Sequence, residues 1–102
     1  MTIPNTPEPE LGEVTASPEA GTRAGMAEAI PGRHPSTVHL MRYFAYAHLA
    51  DKVRAASEPF GHLAITLVSL LPDGPELTAA LRKLVESKDC AVRALVDTLS
   101  GD

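Results

Sequence analysis

The stretch Pro75–Leu99, PELTAALRKLVESKDCAVRALVDTL, decides how the rest of the chain is read. Leu77, Leu81, Leu84, Val85, Val92, Leu95, Val96 and Leu99 recur at three- and four-residue intervals, the repeat of one helix face. Ala80 and Ala91 lie at the margins of that face. Pro75 suits the first helical position, where its missing N–H costs nothing; Asp73-Gly74 ahead of it can cap, and Gly101 follows the last periodic residue. Lys88 falls at the centre of the stripe, one turn from both Leu84 and Val92, whereas Arg82, Lys83, Cys90 and Arg93 point away from it. A long helix with a lysine set into its apolar face requires a partner surface, and the lysine invites an anion.

Immediately upstream, Leu71-Pro72-Asp73-Gly74-Pro75 is dense in turn formers. Before it, Leu49, Val53, Ala56, Phe60, Leu63, Leu67 and Leu70 alternate at four and three residues, a heptad seam that predicts a second long helix from Ala50 to Leu71. Pro59 lies inside that helix and cannot bond the carbonyl of Ala55. It either kinks the helix or restarts it with Ser57 as cap; the unbroken phase of the seam favours one kinked helix. So short a link predicts that the two long helices are antiparallel neighbours, a helical hairpin. Further upstream, His34-Pro35-Ser36-Thr37 reads as the start of a shorter helix capped by Ser36 or Thr37. All four aromatic residues, Tyr43, Phe44, Tyr46 and Phe60, fall in or just after the segment VHLMRYFAYAHL. They either seal the end of a small core or present flat surfaces to a flat ligand.

The chain has 102 residues, one domain at most. Pro4, Pro7, Pro9, Pro18, Pro31 and Pro35 crowd its beginning, with Glu8, Glu10, Glu13, Glu19 and Glu28 against only Arg23 and Arg33. Residues 1–33 therefore read as a disordered, acidic, Pro-rich tail with room for only a short helix around Met26 to Ile30. Residues 34–102 form the helical hairpin module. A module so small builds a thin core and needs a staple. The single Cys90 supplies no disulfide and suits a reducing cytoplasm; no signal peptide and no membrane-length apolar run is present. Self-association is the staple that remains. The expected architecture is all-α: a short N-terminal helix plus an antiparallel helical hairpin, assembled as a homo-oligomer. A net charge of −4 excludes the basic footprint of a duplex-DNA binder.

The residues that bear chemistry point to binding rather than turnover. There is no G-x-S-x-G, no P-loop and no glycine-rich phosphate cradle. Asp51, Glu58, Asp73 and Glu76 stand near helix starts, where the dipole favours carboxylates. His34, His39, His48 and His62 are scattered without the spacing of a metal site, so neither metal nor cofactor is expected. Lys88 has two readings. It is either a snorkelling or ion-paired lysine, with Asp89 or Glu86 of a neighbouring copy as partner, or a cation held in an oligomer interface for a phosphate. Lys52, Arg54, Arg82, Lys83 and Arg93 are further basic groups, and His48, two residues past Tyr46, is a candidate base contact.

Two segments carry a family resemblance. RYFAYAHLADKVRAASEPFGHLAITLVSLLPD and PELTAALRKLVESKDCAVRALV are similar to small proteins of actinobacteriophages. Those in turn resemble the cyclic-nucleotide sponges that phages use against the CBASS and Thoeris defences. The shared module is an aromatic-led opening, a helix, a turn and a helix with the spacing A-x3-L-x8-R-A, here Ala80, Leu84, Arg93 and Ala94. The resemblance spans residues 40–97. It implies an all-helical homo-oligomer, often a hexamer, that takes up cyclic di- or trinucleotides or cyclic ADP-ribose-type signals between protomers and sequesters them uncleaved. It assigns base stacking to Tyr46. Where the sponges have Gly-Tyr-Arg this chain has Ala45-Tyr46-Ala47, so phosphate contacts fall to Lys52, Arg54, His62, Arg82 or Lys88, with His48 and Phe60 beside them. The competing reading is a helical adaptor that binds a host or phage protein and uses the tail as a flexible arm.

Overall fold

A computed structural model describes residues 19–99; the first eighteen residues of the expected tail, and Gly101, lie outside the described residues. Among the described residues there are four α-helices and one 3-10 turn, and no strand: α1 (Arg23–Glu28), α2 (Pro35–Met41), the turn Arg42–Phe44, α3 (Asp51–Leu70) and α4 (Pro75–Leu99). The two long helices pack against each other, and α2 packs on α4.

The folded part begins well before residue 34. Thr22 caps α1, its hydroxyl accepting from the Gly25 N–H at 2.9 Å and donating to the Glu19 carbonyl at 2.8 Å. Met26, Ala27 and Ile30 are buried. Arg33 is bound in turn to the end of α3: its guanidinium donates to the carbonyls of Val68 and Leu71 and pairs with Asp73 at 3.2 Å. The carbonyls at a helix C-terminus have no partner within the helix and attract a cation. Composition misses this, because three apolar side chains and one arginine suffice to dock a segment that is otherwise polar and Pro-rich.

Asp73, expected as a cap for α4, works backward instead. Its carboxylate accepts from the His34 N–H at 3.0 Å and the Thr37 hydroxyl at 2.8 Å as well as from Arg33. These bonds, the His34 N–H foremost, hold its carboxyl below the usual carboxylate range. His34, not Ser36 or Thr37, caps α2, its Nδ1 accepting from the Ser36 N–H at 3.1 Å. Thr37 is thereby freed to be buried against the link.

Pro59 lies inside a continuous α3, as the unbroken apolar phase predicts; there is no restart at Ser57. The face that α3 buries is another matter. Its buried residues are Ser57, Gly61, Ala64 and Val68, one position on from Ala56, Phe60, Leu63 and Leu67 of the heptad seam. At about 100° per residue that one position moves the seam toward the flank: Leu63 and Leu70 are 45% and 74% exposed, while Leu49 and Phe60 still pack on the edge of the core. The small residues go inward because the 3-10 turn and the strap after it run across them. A Cβ on Gly61 would stand 3.1 Å from the Phe44 carbonyl oxygen and 3.1 Å from the Tyr46 ring. On α4 the first half of the predicted stripe faces inward, with Leu77 and Leu81 buried and Leu84 and Val85 packed against the cluster, whereas Val96 and Leu99 at its far end are 45% and 47% exposed. The core joins these to Met26, Ile30, Leu40, Met41, Phe44, Tyr46, Ala64 and Val68.

Candidate functional site

Ala64, Val68, Leu77 and Leu81, toward the link, belong to the buried cluster. At the other end of the long helices, Val53 and Ser57 of α3 and Lys88 and Val92 of α4 line a cavity of about 360 Å³, the low end of the size range of ligand pockets. Its remaining wall comes from Arg23 of α1, Arg42 and Tyr43 of the 3-10 turn, Ala45, His48 and Leu49 of the following strap, and Asp89 and Arg93 of α4.

Four cations and one carboxylate border this space, in a chain whose net charge is −4. Each cation is delivered by local geometry. Arg23 opens the helix that Thr22 caps. Arg42 follows directly on α2 where the chain tightens into the 3-10 turn. Arg93, expected to point away from the stripe, reaches the rim and donates to the Cys90 sulfur at 3.4 Å. Lys88 lies deepest, its side chain 15% exposed, and its ammonium pairs with Asp89 of its own chain at 2.9 Å. One of the two expected ion-pair partners is therefore met within the same chain. Ser57 is 1% exposed and its hydroxyl has no hydrogen-bond partner. A buried hydroxyl left unpaired costs about 1–3 kcal/mol, and this one borders the cavity.

The other sequence-predicted residues lie elsewhere. Tyr46 is not presented for stacking: its ring is buried between Gly21 and Gly61. Its backbone N–H bonds the Gly21 carbonyl at 2.8 Å. Gly21 has φ +82, and a Cβ there would meet the ring at 2.6 Å, so the close approach and the left-handed turn both require glycine. The Tyr46 hydroxyl shares a hydrogen bond with His62 Nε2 at 3.3 Å, and His62 also pairs with Glu58 at 3.3 Å, away from the cavity. Phe60 packs on the core cluster. Arg54 pairs with Asp51, and Lys52 is exposed beside them. Arg82 lies on a neighbouring depression of about 380 Å³ with His39, Val85 and Glu86, which shares Tyr43 and Asp89 with the cavity. Of the eight candidates, only His48 and Lys88 meet in the cavity.

Sequence reasoning missed Arg23, Arg42, Tyr43 and Ser57. Arg42 and Tyr43 stood in the aromatic-led segment already singled out. Arg23 was hidden by its assignment to the tail, and Ser57 by its reading as a helix cap. Tyr43 is the aromatic the cavity offers, 45% exposed and edge-on to His39.

No family model, no curated protein and no solved structure matches the chain. Among the described residues no helix is long and apolar enough to cross a membrane, and no group of three or more His, Cys, Asp or Glu converges on a metal-sized site.

Proposed function

We propose that the protein binds a cyclic oligonucleotide or cyclic ADP-ribose-type signal and sequesters it without cleaving it, as a phage anti-defence protein acting in the host cytoplasm. The observation that carries this reading is the convergence of four cations on one cavity in an acidic chain, beside an exposed tyrosine. A pocket need only be locally positive to draw a small polyanion. Stacking on an aromatic ring contributes about 1–3 kcal/mol per base, and charge-assisted hydrogen bonds to phosphate about 1.5–3 kcal/mol each. One base and two such bonds total about 4–9 kcal/mol before the ordering cost, so micromolar binding needs contacts from more than one protomer on the same ligand. The resemblance to phage sponges over residues 40–97 supports the same ligand class. In this proposal Tyr43 takes the stacking role that the resemblance assigns to Tyr46.

The proposed assembly is an antiparallel hairpin that self-associates, with a hexamer as the form the resemblance implies. Support comes from the exposed leucines on the flank of α3 and from Leu99 at the end of α4. The same flank also favours a second reading, a helical adaptor that docks a host or phage protein without any small ligand.

Calorimetric titration of protein of known solution mass against cyclic di- and trinucleotides and cyclic ADP-ribose isomers tests the proposal. Tight binding with the ligand recovered intact supports sequestration. Absence of binding by a folded oligomer overturns it in favour of the adaptor. Lys88→Ala separates the two further: it abolishes binding in a sequestering protein and leaves an adaptor's partner untouched.

A further inference from the structure

The buried end of the cavity carries an inference that rests on the ligand-binding reading and refines it. Ser57 is mid-helix, where a serine hydroxyl either points to solvent or donates to the carbonyl four residues back, as those of Thr66, Ser69 and Thr98 do in this chain. Ser57 alone of these is fully buried, and its hydroxyl bonds nothing. Across the same cavity Lys88 is largely buried and its ammonium is occupied by Asp89. An orphan donor and a cation satisfied only by its sequence neighbour would both be served by one anionic tetrahedral group once the hydroxyl, now shut off from solvent, turns about χ1 into the cavity: a phosphoryl oxygen would accept from the hydroxyl while another takes the ammonium.

We infer that Ser57 Oγ and Lys88 Nζ form the phosphate subsite of the cavity, and that Asp89 is the built-in competitor which a ligand phosphate displaces from Lys88. Asp89 is well placed to leave. Residues adjacent in sequence project about 100° apart on a helix, so its carboxylate reaches sideways to Lys88, and its side chain is 46% exposed. Released, it returns to water, whereas the ammonium beneath it cannot. The ion pair keeps the lysine satisfied in the empty cavity and makes binding selective for groups that outbid a carboxylate. A phosphate qualifies, a simple carboxylic acid does not.

The test uses the full chain with two probes, inorganic phosphate and cyclic di-AMP, titrated into wild type, Ser57→Ala and Asp89→Asn. Ser57→Ala removes only the unpaired hydroxyl, so the folded state is as stable as wild type or more so. Loss of a hydrogen bond to a charged group predicts affinity lower by about tenfold or more for both probes. Asp89→Asn removes the competitor and tightens both by several-fold, and acetate then competes where it did not before. If cyclic di-AMP binds wild type and neither variant changes its affinity, the subsite is wrong while the nucleotide reading stands. If inorganic phosphate follows the variants but cyclic di-AMP does not bind, the subsite stands and cyclic di-AMP is excluded as its ligand. If wild type binds neither probe, the subsite falls, and the nucleotide reading is left to the titration against the other cyclic nucleotides. Should Ser57→Ala unfold, Ser57→Cys, of similar volume and with a weaker donor, must show the same loss or the inference is overturned.

Discussion

α3 and α4 have apolar stripes of similar regularity, yet the protein treats them differently. The stripe of α4 points into the core over its first half, to which it supplies Leu77 and Leu81, and emerges at Val96 and Leu99. The leucine seam of α3 is turned to the flank, and the core receives Ser57, Gly61, Ala64 and Val68 instead. Apolar periodicity establishes that a segment is helical. It does not establish which part of a broad apolar arc a neighbour covers. On α3 that choice is made by close approach: the Phe44 carbonyl and the Tyr46 ring lie against Gly61, and a row of leucines there would hold the strap away. The bulky residues are then left for another surface, in this proposal a second copy of the chain.

This contrast can be broken by paired substitutions. The largest effect is expected from Leu81→Ala, which deletes a fully buried side chain and should cost about 2–5 kcal/mol. Leu70→Ala, three-quarters exposed on the flank, should change the stability of the monomer by less than about 0.5 kcal/mol. Urea unfolding at low protein concentration measures both, and equal costs would mean that the α3 seam is buried after all.

Gly61→Val comes next. Valine gains on glycine in helix propensity, but its side chain must displace the Phe44 carbonyl or the Tyr46 ring, and overpacking costs about 1–3 kcal/mol. A net loss of stability is expected. A gain would show that the strap yields easily and that Gly61 does not select the buried face.

The junction of α2 with the link gives a pH signature. Because the N–H of His34, then the hydroxyl of Thr37, then Arg33 lower the pKa of Asp73 in the folded chain, the ionised form is favoured on folding. The stability it contributes is complete above the unfolded value of 3.8 and drains away as pH falls through the lowered folded value. Thermal melts across that acid window should show a slope in wild type that is reduced in Asp73→Asn.

The smallest effect on the monomer, and the sharpest for assembly, is expected of the pair Leu63→Ser and Leu70→Ser. Each should leave unfolding of the isolated chain within about 0.5 kcal/mol of wild type and reduce the solution mass measured by light scattering. An unchanged mass would remove the flank from the assembly proposal.

How far the sequence reaches follows from the kind of information each feature needs. Both long helices, the turn between them, the passage of α3 through Pro59 and the inward face of the first half of α4 were legible, because periodicity and turn chemistry are local properties of a few neighbouring residues. Lys88 was legible as an anomaly for the same reason: a cation interrupts an apolar repeat wherever that repeat is buried. The tertiary structure alone decided that Arg33 belongs to the end of α3, that Met26 and Ile30 belong to the core, and that Tyr46 is packing while Tyr43 faces the cavity. It also decided that Arg23, Arg42, Ser57 and Lys88 border one space. These positions lie far apart in the chain, and no local spacing encodes which of them meet. Distance in sequence becomes contact only when close packing at Gly21 and Gly61 has set where the strap can lie.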